Sequence, residues 1–111
     1  ASEIYHNPYV IKAIEIIKAR FAQKISIESI SDELGVSSSY LSRKFKEETG
    51  HTYLDFVNSY RIQQAIKLLD EGVYRVYQVS DMTGFTDYKH FCSVFKKYTN
   101  SSPTEFVKNK M

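Results

Sequence analysis

The chain has 111 residues, of which 42% are hydrophobic and 25% are charged, and its formal net charge is +2. This length suits one compact domain or two small lobes, and the composition is that of a folded protein rather than a disordered one. No apolar run approaches the roughly 18 residues that a membrane span needs, and the chain opens without a signal-peptide pattern. The single cysteine, Cys92, excludes an internal disulfide and favours a reducing, cytoplasmic compartment.

The first half of the chain predicts three helices. Asn7-Pro8 is typical of an N-cap followed by proline at the first helical position. Ser26 is placed to cap a second helix that ends at Gly35, and Ser37 or Ser38 to cap a third that ends at Gly50. The inward positions follow helical spacing and are Val10, Ile14, Ile17 and Phe21 in the first helix, Ile27, Ile30 and Leu34 in the second, and Leu41 and Phe45 in the third.

The second half predicts four more helices. Thr52 opens a longer one with a capping box, and it runs to Gly72. A fifth spans 76–83, a sixth begins at a Thr86 or Asp87 cap and ends near Asn100, and Ser102-Pro103 opens a seventh. The fourth helix runs through Phe56, Val57, Tyr60, Ala65, Leu68 and Leu69, and the seventh lies around Phe106. The inward positions are Val76, Val79 and Met82 in the fifth helix, and Phe91 and Phe95 in the sixth. No stretch alternates as a strand does, so the sequence predicts an all-α fold of seven helices.

The second and third helices resemble the fifth and sixth. Residues 30–37 match residues 79–86 at an offset of 49, and after the turn the offset becomes 50, so one extra residue lies in the second turn or at the start of its helix. Each copy has a small residue where the helices cross, a glycine four positions later for the sharp turn, and an apolar residue directly after it. This is the helix-turn-helix pattern, in which the second helix enters the major groove of DNA. It predicts two helix-turn-helix lobes, 1–50 and 73–111, joined by a linker helix over 51–72.

Three segments also resemble a known family, the AraC/XylS-type transcription regulators. They are Gly35-Val-Ser-Ser-Ser-Tyr-Leu-Ser-Arg-Lys-Phe-Lys-Glu-Glu-Thr-Gly50, Arg61-Ile-Gln-Gln-Ala65, and 84–106, which opens Gly-Phe-Thr-Asp-Tyr-Lys-His-Phe. The likeness covers residues 8–106. It implies a bacterial activator domain that binds double-stranded DNA without a cofactor and contacts RNA polymerase. In this family such a domain often follows a sensor or receiver domain, as the C-terminal output of a response regulator, and less often stands alone.

The chain departs from the family pattern at a few positions. Ser31 and Ser80 replace the usual alanine where the helices cross, and Asn100 replaces glycine at a left-handed position that asparagine tolerates. Arg75 stands where a capping serine or threonine is usual. We call the third and sixth helices, the second helix of each motif, the first and second readers. Ser93 stands where the second reader commonly has arginine, so the resemblance implies weaker base contacts there.

The exposed faces of the third and sixth helices hold the candidate DNA contacts. They are Ser38, Ser39, Ser42, Arg43 and Lys46 in the first reader, and Tyr88, Lys89, His90, Ser93, Lys96 and Lys97 in the second. Arg43 suits a bidentate contact to guanine and Lys46 a phosphate, whereas Ser39 and Ser42 reach bases only at close approach or through water. Lys89 and His90 suit base acceptors, and Tyr88 a thymine methyl. The alternative is that these are only solvated faces of surface helices.

A linker of about 18 residues is a rod of roughly 27 Å. Two readers entering one face of DNA reach successive major grooves about 34 Å apart, which predicts two short boxes about one turn apart, with DNA bending or a weakly engaged second reader as alternatives. Because of Ser93, we expect the first reader to supply more of the specificity. Arg61 on this linker suits either a phosphate contact or a brace against a lobe.

Other functions have less support in the sequence. His6, His51 and His90 lie far apart without Glu or Cys at ligand spacing, and no glycine-rich phosphate loop is present, so we expect neither an enzyme nor a metal or cofactor site. A redox role for Cys92 lacks a resolving cysteine. The main alternative is a protein-binding module, since the second helix is acidic at Glu28, Asp32 and Glu33.

Overall fold

The computed structural model describes residues 4–109, and within that range the chain forms seven α-helices and no strand. The helices are α1 (Pro8–Arg20), α2 (Ile27–Leu34), α3 (Ser38–Thr49), α4 (Tyr53–Glu71), α5 (Val76–Met82), α6 (Tyr88–Thr99) and α7 (Pro103–Asn109). The all-α, seven-helix prediction is therefore confirmed. None of these helices is both long enough and apolar enough to cross a membrane.

The chain divides into two compact units between Val57 and Asn58, a point inside α4. The first unit therefore contains α1, α2, α3 and the start of α4. The second contains the rest of α4 with α5, α6 and α7. A single helix thus serves both units, each of which is described below by itself.

In the first unit, α1 packs on α2 and α3, and α2 packs on α3. The buried apolar residues are Val10, Ala13, Ile14, Ile17, Ile25, Ile30, Leu41, Phe45, Tyr53 and Val57. The predicted inward residue Phe21 lies at the C-cap of α1 and is half-buried. Tyr53, at the start of α4, donates a 2.8 Å hydrogen bond from its buried hydroxyl to the carbonyl of Ile25. This bond fixes the segment that leads into α2, because it gives a hydrogen-bond donor to the buried carbonyl of Ile25, which lies between α1 and α2.

In the second unit, α6 packs against α5 and α7. Its core joins the rest of α4 to the helix-turn-helix, and its buried members are Ile62, Ala65, Leu69, Val79, Phe85, Phe91, Val94 and Phe95. Phe106 and Val107 of α7 are partly buried against this core. The core therefore needs residues from both sides of the helix-turn-helix, not the two helices of the motif alone.

One predicted core position in α5 is wrong. Met82 is 39% exposed, whereas its neighbour Thr83 is fully buried. With Val79 in the core, the residue four positions later falls under it at 3.6 residues per turn, and that residue is Thr83. The Thr83 hydroxyl lies 2.8 Å from the carbonyl of Val79, so its burial leaves no polar group unpaired.

The two turns of the repeat have the same hydrogen bonds. Val36 donates its N–H to the carbonyl of Ser31 at 3.0 Å, and Phe85 donates to Ser80 at 3.1 Å. The preceding glycines, 35 and 84, both have positive φ, 77° and 92°. Ser37 caps α3 and Asp87 caps α6. The extra residue of the second copy is therefore Thr86, which lies between the turn and the cap.

The ends of α3 and α6 also match. Gly50 and Asn100 cap them with φ of 78° and 65°. Asn100 thus has the left-handed conformation that the sequence predicted. The Thr49 hydroxyl lies 2.8 Å from the carbonyl of Phe45, and the Thr99 hydroxyl lies 2.8 Å from that of Phe95. The backbone around both helix ends is therefore held in the same way.

The N-terminus of α5 has a different cap. Its N-cap residue is Arg75, whose side chain has no acceptor atom with which to cap a helix. Instead, Gln78 reaches back and accepts a 2.8 Å hydrogen bond from the Arg75 N–H. The departure at position 75 thus leaves half of a capping box in place.

Candidate nucleic-acid interface

The outward face of α3 follows from how the helix is anchored. Leu41 and Phe45 are fully buried, so the opposite stripe faces solvent. Ser38, the first residue of the helix, is half-buried. The exposed members of the predicted set are Ser39, Ser42, Arg43 and Lys46. Among the predicted residues, the structure therefore presents the Arg43 guanidinium and the Lys46 ammonium beside the hydroxyls of Ser39 and Ser42.

Arg43 has a defined surrounding on this face. Its guanidinium carbon lies 5.8 Å from the centroid of the Tyr40 ring, within the range of a cation–π contact. The neighbouring Lys44 pairs with Glu47 at 3.3 Å. That pair consumes part of the basic charge of α3, so Arg43 and Lys46 carry the positive character of the exposed stripe.

The outward face of α6 is more basic. Phe91, Val94 and Phe95 are buried, and the opposite stripe exposes Lys89, His90, Ser93, Lys96 and Lys97. The helix contains three lysines and no acidic residue, whereas α3 contains Glu47 and Glu48. A face of this kind suits phosphate groups, which are bound by charge with little demand on geometry.

Two residues of α6 contact aromatic rings. The His90 ring lies 5.9 Å from the ring of Phe85, the buried residue of the turn. The Lys97 ammonium lies 5.6 Å from the centroid of the Tyr98 ring. These contacts place His90 at the turn end of the stripe and Lys97 at its far end.

Tyr88 lies on the flank of α6 rather than on the lysine stripe. It shares a side of the helix with Cys92, one turn on, and its ring lies 6.3 Å from that of Phe91. Partial burial, followed by the Cys92 thiol, raises the pKa of the Tyr88 hydroxyl, and a hydrogen bond with Thr104 opposes this shift. Tyr88 also borders an open cavity of about 490 Å³, together with residues from α4, α5 and α7 such as Leu69, Tyr77 and Val107. The predicted thymine contact would therefore be made from the edge of the reader.

The two readers differ at the position that holds Arg43 in α3. Across the offset of 50, Arg43 corresponds to Ser93 and Lys46 corresponds to Lys96. The lysine position is kept and the arginine position is not. The first unit thus has the side chain suited to reading a base edge, and the second has the charge suited to the backbone.

Sequence reasoning missed the hydrogen bonds that join Asn7, before α1, to Tyr40 and Glu48 of α3. The Glu48 carboxylate accepts a 2.7 Å hydrogen bond from the N–H of Asn7, and the Asn7 side chain donates to the Tyr40 hydroxyl at 3.1 Å. These partners are 41 and 33 residues apart in the chain. No spacing rule connects residues so distant, so the sequence held no signal for them.

The sequence suits Arg61 to either a phosphate contact or a brace. In the structure its guanidinium carbon lies 5.7 Å from the centroid of the Phe85 ring. That position fits the bracing role, since Phe85 is the buried residue of the second turn. Among residues 4–109, no three His, Cys, Asp or Glu side chains are grouped so as to hold a metal ion. Cys92 is a free, half-buried thiol.

Two helix-turn-helix units, each with a buried apolar face and an exposed basic stripe on its second helix, define the class of protein as a DNA-binding domain. A profile described as a helix-turn-helix domain matches residues 30–109, which is most of the chain. The chain belongs to this helix-turn-helix family, of the AraC type.

Three known proteins illustrate the likeness. The transcriptional regulatory protein HptR of Staphylococcus aureus is 38% identical over 104 residues, which cover 94% of this chain and 41% of HptR. The C-terminal domain of AraT, a response regulator from Geobacillus stearothermophilus, superposes with a TM-score of 0.91 at 28% identity, covering 95% of this chain and 88% of that domain. A transcriptional regulator with an AraC-type DNA-binding domain from Chromobacterium violaceum gives a TM-score of 0.82 at 26% identity, covering 91% and 90%. The chain thus spans less than half the length of its relative HptR.

Proposed function

We propose that this chain is the sequence-specific DNA-binding part of a longer bacterial transcription regulator, with α3 and α6 as its two reading helices. The observation that carries the proposal is the repeated arrangement of these helices. In each unit the second helix of the motif buries its apolar side and turns a stripe that contains basic residues to solvent. A helix of this kind fits the major groove, where base edges and phosphates are both within reach.

The stripe residues divide into two groups by chemistry. Arg43, Lys89 and His90 carry donors suited to the acceptor atoms of bases, and the hydroxyls of Ser38, Ser39, Ser42 and Ser93 suit either bases or phosphates. Lys46, Lys96 and Lys97 suit phosphates, and Tyr88 suits an apolar contact from the flank. Arginine is the side chain that grips guanine at two atoms, so the first unit supplies more of the sequence discrimination.

The rest of the whole protein is proposed from its relatives. Because the chain spans 41% of HptR and is similar to the C-terminal domain of the response regulator AraT, an N-terminal sensor or receiver domain precedes it in the whole protein. The protein acts in the cytoplasm, has no enzymatic activity in this part, and contacts RNA polymerase when it activates transcription.

The test is a selection of bound sequences from random duplex DNA at two salt concentrations, with the 111-residue chain. We expect two short enriched boxes about one helical turn apart, and an affinity that falls steeply as salt rises. One enriched box would mean that only one unit reads bases. Salt-sensitive binding without enrichment would mean that the chain alone has no sequence specificity.

A chain that binds no DNA even at low salt would contradict the proposal and favour a protein-binding module instead. The acidic residues of α2 offer such a module a smaller surface than the sequence indicated. Glu33 makes a bidentate ion pair with Arg20, with N–O distances of 2.9 and 3.0 Å, so that only Glu28 and Asp32 remain of the three. In keeping with this pair, the hydrogen bond to Arg20 lowers the pKa of Glu33.

A further inference from the structure

The segment that leads into α1 is bound to the first reading helix. We call residues 6–9, which comprise this segment and the first two residues of α1, the N-terminal strap. The Glu48 carboxylate, near the end of α3, accepts hydrogen bonds from the backbone N–H of His6 at 3.1 and 3.2 Å and from that of Asn7 at 2.7 Å. Bonds from backbone N–H groups to a carboxylate are charge-assisted and stronger than neutral ones. The strap is therefore fixed to α3 at its C-terminal end.

The strap also contacts α3 near its N-terminal end, at Tyr40. The side-chain Nδ2 of Asn7 donates a 3.1 Å hydrogen bond to the Tyr40 hydroxyl, while its side-chain Oδ1 caps α1. The Tyr9 ring meets the Tyr40 ring edge to face, with centroids 6.1 Å apart. Both the hydroxyl and the ring of Tyr40 are thus engaged, so this half-buried side chain has a fixed orientation.

Tyr40 in turn contacts the side chain proposed to read a base. The Arg43 guanidinium lies over the Tyr40 ring at 5.8 Å, and the two residues are three positions apart on one side of α3. An arginine loses much rotamer freedom when it binds, so a ring that already restricts the side chain reduces the entropic cost of binding.

We infer that Tyr40, held by the strap, is a positioning residue that orients Arg43 for its base contact. This inference rests on the proposed function, because it requires Arg43 to read DNA. A series of contacts then runs from Glu48 through Asn7 and Tyr40 to Arg43.

The second unit serves as an internal comparison. Across the offset of 50, the positions of Tyr40, Arg43 and Glu48 hold His90, Ser93 and Tyr98. None of the three residue types is kept, although the turn, the caps and the core of the repeat are kept. The arrangement is therefore not a requirement of the fold, since the same fold forms without it. It occurs in the unit that has the arginine.

The experiment measures discrimination, defined as the affinity for the selected box divided by that for a box changed at the base pair that Arg43 reads. Tyr40→Leu removes the ring, and we expect discrimination to fall by roughly two- to fivefold, the range of an exposed cation–π contact. Tyr40→Phe keeps the ring and should retain most of the discrimination. Affinity for unrelated duplex DNA and the thermal unfolding midpoint show whether a variant is merely unfolded.

The double variant Tyr40→Leu/Arg43→Ala separates positioning from other roles. If Tyr40 acts through Arg43, the double variant discriminates as Arg43→Ala does alone, and a further loss would overturn the inference. Loss of discrimination with Arg43→Ala but none with Tyr40→Leu would overturn the inference and leave the proposed function standing. If Arg43→Ala keeps full discrimination, the reading role of Arg43 is wrong, and the inference fails with it.

A pair of variants at Glu48 tests the strap independently of the ring. Glu48→Ala removes the acceptor of the strap and should lower discrimination in the same direction as Tyr40→Leu, again with no added effect in the Arg43→Ala background. Glu48→Gln keeps one acceptor oxygen and should restore most of the loss. If both Glu48 variants discriminate like the unchanged chain, the strap has no part in positioning Arg43.

Discussion

Phe95 and Phe106 pack edge to face in the second unit, with ring centroids 5.4 Å apart. Phe45 and Phe56, each 50 positions earlier, pack in the same way at 5.2 Å. The helices that carry Phe56 and Phe106 also start alike. Thr52 accepts a hydrogen bond from the N–H of Asp55, and Ser102 accepts one from the N–H of Glu105, both at 3.1 Å. The start of α4 is therefore to the first unit what α7 is to the second, and the repeat includes this fourth helix.

Phe106→Ala should destabilise the second unit by about 2 kcal/mol, less than for a fully buried ring because Phe106 is only partly buried. Urea unfolding measures the loss, and hydrogen exchange of the α5 and α6 amides should show that it falls on the second unit. Tyr77→Ala, which removes a ring that is 57% exposed, is the control and should change stability little. An effect of Phe106→Ala as small as that of Tyr77→Ala would mean that the Phe106 ring adds little to the stability of this core.

Ser80→Ala should stabilise the chain by about 1 kcal/mol. Within residues 4–109, Ser80 Oγ is buried without a hydrogen-bond partner, and a methyl group removes that cost. Ser31 is the matched control, because its hydroxyl donates to the carbonyl of Glu28 at 3.0 Å. Ser31→Ala should be neutral or slightly destabilising in the same thermal unfolding assay. A lower midpoint for Ser80→Ala would show that this hydroxyl has a partner.

Asn100→Gly should stabilise the end of α6 by about 0.5 kcal/mol, and Asn100→Ala should destabilise it by about 1 kcal/mol. The reason is the φ of 65° at this position, which glycine adopts freely and alanine does not. Gly50→Ala, at the matching cap of α3 with φ 78°, should cost a similar amount. Thermal unfolding of the three variants gives the ranking, and a stable Asn100→Ala variant would contradict the cap geometry.

Arg43→Ala should lose more sequence discrimination than Lys89→Ala. A bidentate arginine contact to guanine is worth about 1–3 kcal/mol between the right and the wrong base, whereas a lysine is a point charge with less geometric demand. Competition binding against single-base variants of the selected boxes measures both. The reverse ranking would contradict the assignment of the first reader as the more specific one.

Lys96→Ala should weaken binding to all sequences alike and reduce the slope of log affinity against log salt by about one. Lys96 is exposed on α6 and corresponds to Lys46 on α3, so Lys46→Ala should behave in the same manner. Lys12→Ala, an exposed lysine on α1, is the charge-matched control and should leave the slope unchanged. A selective loss at one base pair would instead assign Lys96 to base reading.

The helices could be predicted because their ends depend on local chemistry. Asn7, Ser26 and Asp87 cap their helices with side-chain oxygens, and the left-handed caps end α2, α3 and α6. Each such signal involves residues within one turn of each other, so a single sequence contains the whole of it. The stripe residues were also accessible to prediction, since the buried side of an anchored helix defines the exposed side.

Contacts between distant residues could not be predicted in this way. The bonds from Tyr53 to Ile25 and from Asn7 to Glu48 depend on how helices meet, which no local pattern contains. The wrong prediction that Met82 is buried, where the structure buries Thr83, has a different cause. Hydrophobicity favoured the methionine, but the threonine can satisfy its own hydroxyl inside the helix and so is no costlier to bury.

Because both units include part of α4, the two repeats cannot be separated at the ends of that helix without loss of core residues. A fragment that ends at residue 50 lacks Tyr53 and Val57 of the first core, and one that begins at residue 73 lacks Ile62 and Leu69 of the second. Neither fragment contains a complete core, because each core includes residues of α4. A recombination event or an engineered chimera that exchanges one reader must therefore carry the neighbouring half of α4 with it.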